Sequence, residues 1–264
     1  DAPESVYAPP APPEEGSGGN EGGVHYDLTA RFLNRYLFRG IMRFRNQQGR
    51  NNLNLQLDGT LSFDTGRYPH PFVEAFVNVD DDDSVSRFQE VRPTVGANWD
   101  LKPMLLSAGY IDYLFPEREK TNDTQEIYLR TAFDDSRLWN TSDPVLTPYL
   151  YTAYDFERYN GWYFESGISH DIPFEDYGLN LRFLADVALV VSNPLFRGST
   201  TRDTGFQHYD VGMEATYSLN HALALSKRFG EFDLVGYLYY SSGIDPHLRA
   251  DSQLWGGAGI SFSY

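Results

Sequence analysis

From Val24 onward the chain alternates between apolar and polar positions. Between Asn51 and Asp64, the residues Leu53, Leu55, Leu57, Gly59, Leu61 and Phe63 share one parity. Asn54, Gln56, Asp58, Thr60, Ser62 and Asp64 share the other. A period of two describes a β-strand with one greasy and one wet face. Strands of soluble sandwiches usually stop after about 5–6 residues, whereas crossing a bilayer at a tilt takes about 9–11. The same pattern recurs. Leu254, Gly256, Ala258, Ile260, Phe262 and Tyr264 oppose Gln253, Trp255, Gly257, Gly259, Ser261 and Ser263. Leu181, Phe183, Ala185, Val187 and Leu189 oppose Asn180, Arg182 and Asp186, and Tyr209, Val211, Met213 and Ala215 oppose His208, Asp210, Gly212 and Glu214. Ile127, Leu129, Thr131 and Phe133 oppose Glu126, Tyr128 and Arg130.

Turn-forming clusters separate these segments: Asn46–Gly49, Thr65–Arg67, Asp80–Ser84, Trp99–Pro103, Pro116–Asp123, Asp134–Pro144, Arg158–Gly161, Pro173–Gly178, Asn193–Gly205, His221–Gly230 and Gly243–Asp251. Eleven connections imply twelve strands, an even number that leaves both chain ends on one side of a membrane. Pro93 and Pro148 fall within expected strands, where each removes a ladder donor; a register break, or ten strands, would follow if they interrupt the wall. Tyr149–Phe156 and Phe232–Tyr240 are aromatic on both parities, so inside and outside are not separable there. His221–Gly230 has room for a short helix or an added strand segment.

Composition sharpens the picture. The 264 residues include 19 Tyr and 18 Phe, yet the mean hydropathy is −0.47. Abundant aromatics in a chain that reads hydrophilic suit a barrel with lipid outside and water inside. The longest wholly apolar run is Val187–Val191, far short of the ~20 residues of a spanning helix. Spanning without helices requires a closed barrel, because every backbone group in lipid must be paired. The expected fold is therefore all-β: a transmembrane antiparallel up-and-down β-barrel over residues 24–264.

Residues 1–23 form a separate unit. An Ala/Pro tract, Ala8–Pro13, precedes a Glu/Gly/Ser tract, Glu14–Gly19, without periodicity or a basic residue. This composition reads as an acidic Pro/Gly-rich periplasmic arm, either a passive leader or a segment that engages a protein partner. A start at Asp1, with no hydrophobic leader, is what a mature exported protein would show. With no cysteine there are no disulfides, thiolate metal sites or lipid-modified cysteines. The net charge is −16, which speaks against nucleic acid as a partner, since phosphate neutralisation needs clustered Lys and Arg.

The final residues, Ile260, Phe262 and Tyr264 on the apolar parity, resemble the C-terminal strand signature of bacterial outer-membrane proteins. That resemblance implies recognition by the barrel assembly machinery. The segment Asn34-Arg35-Tyr36-Leu37-Phe38-Arg39-Gly40-Ile41, read as part of the first strand, is similar to the Tyr-x-Phe-Arg-Gly-Ile segment of the TorF family of predicted porins. Trp162–Gly167 and Tyr209–Gly212 resemble the middle strands of that family. The likeness is close only at these motifs. It implies a bacterial outer-membrane barrel of comparable length with both termini periplasmic, more than it implies a cargo.

If Tyr26, Leu28, Ala30 and Phe32 face lipid, then Arg31, Arg35 and Arg39 form a basic ladder on the inner wall, with about 13 Å per four residues. Arg92, Arg130 and Arg182 would join it, opposite Asp58, Glu74, Glu126, Glu165, Asp186, Asp210 and Glu214. Facing charges of this kind either set ion selectivity in a pore or close a narrow barrel as a salt-bridge network. Twelve strands lie between the filled and the open sizes. Asp80, Asp81, Asp82 and Asp83 offer hard oxygen donors in a predicted extracellular loop, but lack the alternating ligands and glycine of a calcium loop. A solvated, self-repelling loop is the plainer reading, and no metal or other cofactor is expected.

None of the six histidines stands in a His-x-Ser pair of the sort a barrel phospholipase would resemble. Neither a phosphate loop nor a paired-His metal motif is present, and most histidines read as interfacial or turn residues. The expectation is thus a non-enzymatic, porin-like channel for small polar or charged solutes. The alternative is a structural barrel whose N-terminal arm binds a partner.

Overall fold

The computed structural model describes residues 23–43, 53–66, 69–80, 88–116 and 123–264. Its strands are β1 (Val24–Leu33), β2 (Leu37–Phe38), β3 (Ile41–Met42), β4 (Asn54–Phe63), β5 (His70–Asp80), β6 (Phe88–Leu101), β7 (Met104–Tyr113), β8 (Thr124–Phe133), β9 (Tyr149–Asp155), β10 (Gly161–Phe174), β11 (Leu179–Val191), β12 (Gly205–Ser218), β13 (Glu231–Gly243) and β14 (Gln253–Ser263). Twelve of them, β1 and β4 to β14, close into one antiparallel barrel in which each strand pairs with its sequence neighbours. β1 closes the ring by pairing with both β4 and β14, in the register Leu28↔Gly59 and Leu28↔Phe262. Tyr26 and Tyr264 seal the seam with reciprocal backbone hydrogen bonds of 2.8 and 2.9 Å. Closure removes the unpaired edges that would be untenable in lipid.

The alternation decides which face is which. Leu28, Leu57, Val95, Ile127, Leu129 and Leu238 are all exposed on the outer surface. Their inward neighbours include buried Gln56, Thr60, Thr94, Glu126 and Tyr239. Aromatic clusters mark the two rims of this apolar band, as interfacial girdles do. Trp162 packs between Tyr154 and Phe164 at 4.7 and 5.8 Å on one rim. Phe232 meets Phe262 at 4.8 Å on the rim that carries the chain ends. No described helix is long and apolar enough to cross a membrane; the strands do the crossing.

Packing settles the doubly aromatic segments. In β9, Tyr149, Tyr151 and Ala153 are buried inward while Leu150 is exposed outward. In β13, Val235, Tyr237 and Tyr239 point inward, with Leu234, Leu238 and Tyr240 outward. Pro93 sits inside β6, and its lost N–H interrupts the ladder to β7 between the pairs Thr94↔Ile111 and Val91↔Leu114 without moving the register. Pro148 stands just before β9 and contributes only its carbonyl, which accepts from Phe133 N at 2.9 Å. The His221–Gly230 segment holds the end of a short helix, α2 (Leu219–Leu223), and a 3-10 turn at Lys227–Phe229.

One expectation is corrected. Asn34–Ile41 is not wall. β1 ends at Leu33, where Asn34 ties back to Gly256 through its amide and its side-chain oxygen, each at 3.0 Å. The chain then folds into the lumen as the two-residue hairpin β2–β3, pairing Leu37↔Met42 and Phe38↔Ile41. The physical reason is visible in the residues. Tyr36, Leu37, Phe38, Ile41 and Met42 leave no wet parity, so the segment is buried on all sides rather than between lipid and water. The expectations for residues 1–22, Asn46–Gly49 and Asp81–Ser84 lie outside the described residues.

Candidate functional site: an occluded lumen

The inward hairpin is built on a turn with Arg39 at φ 50° and Gly40 at φ 69°. Two successive positive φ values are the signature of the tight hairpin turn that matches strand twist. Gly40 meets a second demand, because a Cβ there would lie 2.6 Å from His208 Cγ on the wall. Arg39 pays about 1–2 kcal/mol for a left-handed backbone. The guanidinium donates two hydrogen bonds of 2.7 Å to the Glu126 carboxylate on β8, and it lies 4.3 Å from the centre of the Tyr163 ring. Removing one partner of such a buried pair strands the other as an uncompensated charge, at a typical cost of about 3–5 kcal/mol.

Six strands separate β1 from β8 around the ring on the path through β14 and four on the path through β4, so the hairpin rooted at β1 reaches the far wall. Further ties hold it in place. Tyr36 Oη donates to the Glu90 carboxylate at 3.3 Å. Gln207 Nε2 donates to the Arg39 carbonyl at 2.9 Å. Asp251 accepts from Met42 N at 2.8 Å and donates its own N–H to the Gly40 carbonyl at 2.7 Å. Phe196, from the β11–β12 connection, inserts beside Tyr163 at 5.9 Å and is fully buried. In the half of the barrel away from the termini, the lumen is therefore packed with side chains.

The remaining candidates separate into distinct environments. Arg31 points inward over the Tyr237 ring at 5.6 Å. Together with Arg92 it is the cation acting on Asp58 and Glu74. Arg92 packs on Phe76 at 4.2 Å and reaches Glu90 at 4.0 Å. Arg130 lies over Tyr149 at 5.3 Å. Arg182 grips Asp171 with its Nε and Nη2, both at 3.0 Å. Glu165 accepts from the phenols of Tyr149 and Tyr163 at 2.8 and 2.6 Å, and Glu214 accepts from Tyr239. Asp186 and Asp210 face each other across β11 and β12.

The expected basic ladder does not exist as a wall feature. Arg31 is on β1, but Arg35 lies past the strand end and binds Gln253 and the Leu254 carbonyl at the rim. Arg39 reaches the lumen only through the hairpin. A strand ending at Leu33 cannot carry positions 35 and 39 on its inner face. Periodicity also missed Glu90, Tyr36, Tyr113 and Tyr151, which surround Arg39 or tie its hairpin. His208, which the alternation places on the same parity as Asp210 and Glu214, is buried inside the barrel.

A closed wall, apolar toward its surroundings and rich in charge within, defines a transmembrane β-barrel. No family model matches the chain, and no curated protein matches it. Among solved structures it is similar to the NanC porin, with a TM-score of 0.50, 10% identity, and coverage of 89% of this chain and 98% of that one. It is also similar to an outer membrane channel from Pseudomonas putida F1, with a TM-score of 0.50, 6% identity, and coverage of 96% and 99%. At such identities the likeness is one of fold.

Proposed function

We propose that the protein is a porin-like channel of the bacterial outer membrane, for small polar or charged solutes, whose path is shut by its own β2–β3 hairpin. The observation that carries this reading is the Arg39–Glu126 pair, which pins an inward-folded segment across the lumen rather than filling it with wall side chains alone. A barrel built only as a scaffold could be sealed by its wall residues. A segment held by a turn and a handful of polar ties can instead be displaced. Beneath it, Arg31, Arg182, Asp58, Asp171 and Glu214 leave a charged wall that would select among ions. The porin and channel neighbours support the same reading. The TorF resemblance at Asn34–Ile41 would then fall on the plug. The terminal residues Ile260, Phe262 and Tyr264 would serve the assembly machinery, with the chain ends periplasmic and the hairpin entering from the outer side.

Conductance across planar bilayers tests it. The intact chain should pass little current, and deletion of residues 36–42, with Arg35 joined to Arg43, should give large discrete steps. A deletion variant that folds, shown by heat-modifiable gel mobility, yet stays silent would overturn the channel reading in favour of a scaffold. In the conducting variant, Arg31→Ala and Arg182→Ala should shift the reversal potential toward cation preference.

A further inference from the structure

We infer that Asp186, His208 and Asp210 form a binding site for a divalent transition-metal cation inside the barrel, with Zn²⁺ as the reference ion. Asp186 and Asp210 are direct partners across β11 and β12. Two carboxylates placed opposite each other on one face of a sheet repel. His208 stands two residues before Asp210 on the same face of β12. One ligand atom from each of the three lies within 4.8 Å of the others.

The tautomer of His208 is set by its neighbours. Gln207 uses both amide hydrogens, donating to the carbonyls of Arg39 and Arg249 at 2.9 and 2.8 Å. Its oxygen is thus the atom facing His208 Nδ1 at 2.5 Å, and Nδ1 must be the donor. In the neutral ring, Nε2 therefore carries a lone pair. That lone pair faces Asp210 Oδ2 at 3.5 Å without forming a hydrogen bond. Nε2, Asp186 Oδ1 and Asp210 Oδ1 all lack a protein partner, although His208 and Asp210 are 1% and 4% exposed. Lone pairs converging in a buried place call for a cation.

The donor set selects the class. One imidazole with two carboxylates suits Zn²⁺ and its neighbours, whereas Ca²⁺ and Mg²⁺ take oxygen alone. Bonds of about 2.1 Å in a tetrahedron separate ligand atoms by about 3.4 Å, close to the 3.5 Å between His208 Nε2 and Asp210 Oδ2, and an Asp186 ligand atom lies within 4.8 Å of the other two. Gln207 supplies the outer hydrogen bond that ligating histidines ordinarily have. Glu165, the next carboxylate along the wall, is already held by two phenols. The ring of Tyr163 and the backbone of Gly40 enclose His208.

The inference stands apart from conduction, since a silent barrel can still bind metal. The full chain in detergent, stripped with EDTA, is titrated with ZnCl₂ by calorimetry. A single Zn²⁺ per barrel is expected, with affinity reduced at least about tenfold in Asp186→Asn and in Asp210→Asn. Bound Co²⁺ should show a d–d spectrum that His208→Ala removes. Heat-modifiable mobility confirms that each variant is folded. A folded wild type that binds no Zn²⁺ would refute the site. Binding that survives both Asn variants but disappears when Asp80, Asp81, Asp82 and Asp83 are all replaced by Asn would refute it equally.

Discussion

Arg39 and Glu126 are 87 residues apart in sequence, yet they share a bidentate ion pair across the inside of the barrel. Both side chains are almost fully withdrawn from solvent. Each charge therefore depends on the other, and the pair welds a hairpin rooted at β1 to the wall at β8.

Replacing either member alone strands the other as a buried charge. Arg39→Met and Glu126→Leu should each lower stability by about 3–5 kcal/mol, read as a lower urea midpoint in detergent. The double variant Arg39→Met with Glu126→Leu should recover much of that loss, because a well-packed apolar pair avoids the desolvation cost. Additive losses in the cycle would show that the two groups are uncoupled.

Gly40 is constrained twice, by its positive φ and by the His208 ring. Gly40→Ala should displace the hairpin and destabilise the fold by about 1–3 kcal/mol. Limited proteolysis between Asn34 and Arg43 reports this directly: cleavage should appear in the variant and be absent from the wild type. Equal protection of both would show that the turn tolerates a side chain.

The lipid-facing assignment predicts a marked asymmetry between neighbouring positions. Leu129 and Arg130 are adjacent on β8, one exposed outward and the other turned over Tyr149. Leu129→Arg, near the middle of the strand, should cost about 2–4 kcal/mol in bilayers. In the solute-passing deletion variant, Arg130→Ala should alter selectivity with little effect on insertion into liposomes. Reversed sensitivities would invert the barrel's faces.

The connection between β8 and β9 is organised by Asp135 at the start of α1 (Ser136–Trp139). Its carboxylate accepts from Trp139 Nε1 at 2.7 Å, Val145 N at 2.7 Å and Leu146 N at 3.0 Å. Burial acts to raise its pKa, but these hydrogen bonds outweigh it and hold the group below the usual carboxylate range. Asp134 is lowered too, by the side chain and amide of Ser136. A carboxylate depressed in the folded state contributes stability above its unfolded pKa and loses it as pH falls through the folded value. This loop should therefore hold at neutral pH and loosen only in acid, below the usual carboxylate range. Amide exchange at Val145 and Leu146 should accelerate there, and in Asp135→Ala at neutral pH, where a cost of about 1–3 kcal/mol is expected. Exchange independent of pH, after correction for intrinsic rates, would refute the assignment.

Much of this architecture is legible in the chain itself, because a barrel wall is a one-dimensional code. Inside and outside alternate residue by residue, so Leu57 beside Asp58, or Val211 beside Asp210, assigns both faces from local information. Turn clusters count the strands for the same reason. The code fails where a segment leaves the wall. Asn34–Ile41 reads as strand because its β-formers satisfy strand propensity anywhere, and only the tertiary structure shows that Leu37 and Ile41 are buried within the lumen. The pairing of Arg39 with Glu126, and the gathering of Asp186, His208 and Asp210, likewise belong to the closed ring. Parity states that a side chain points inward; closure alone decides what it meets there, since shear and register set which strands present their residues at the same height.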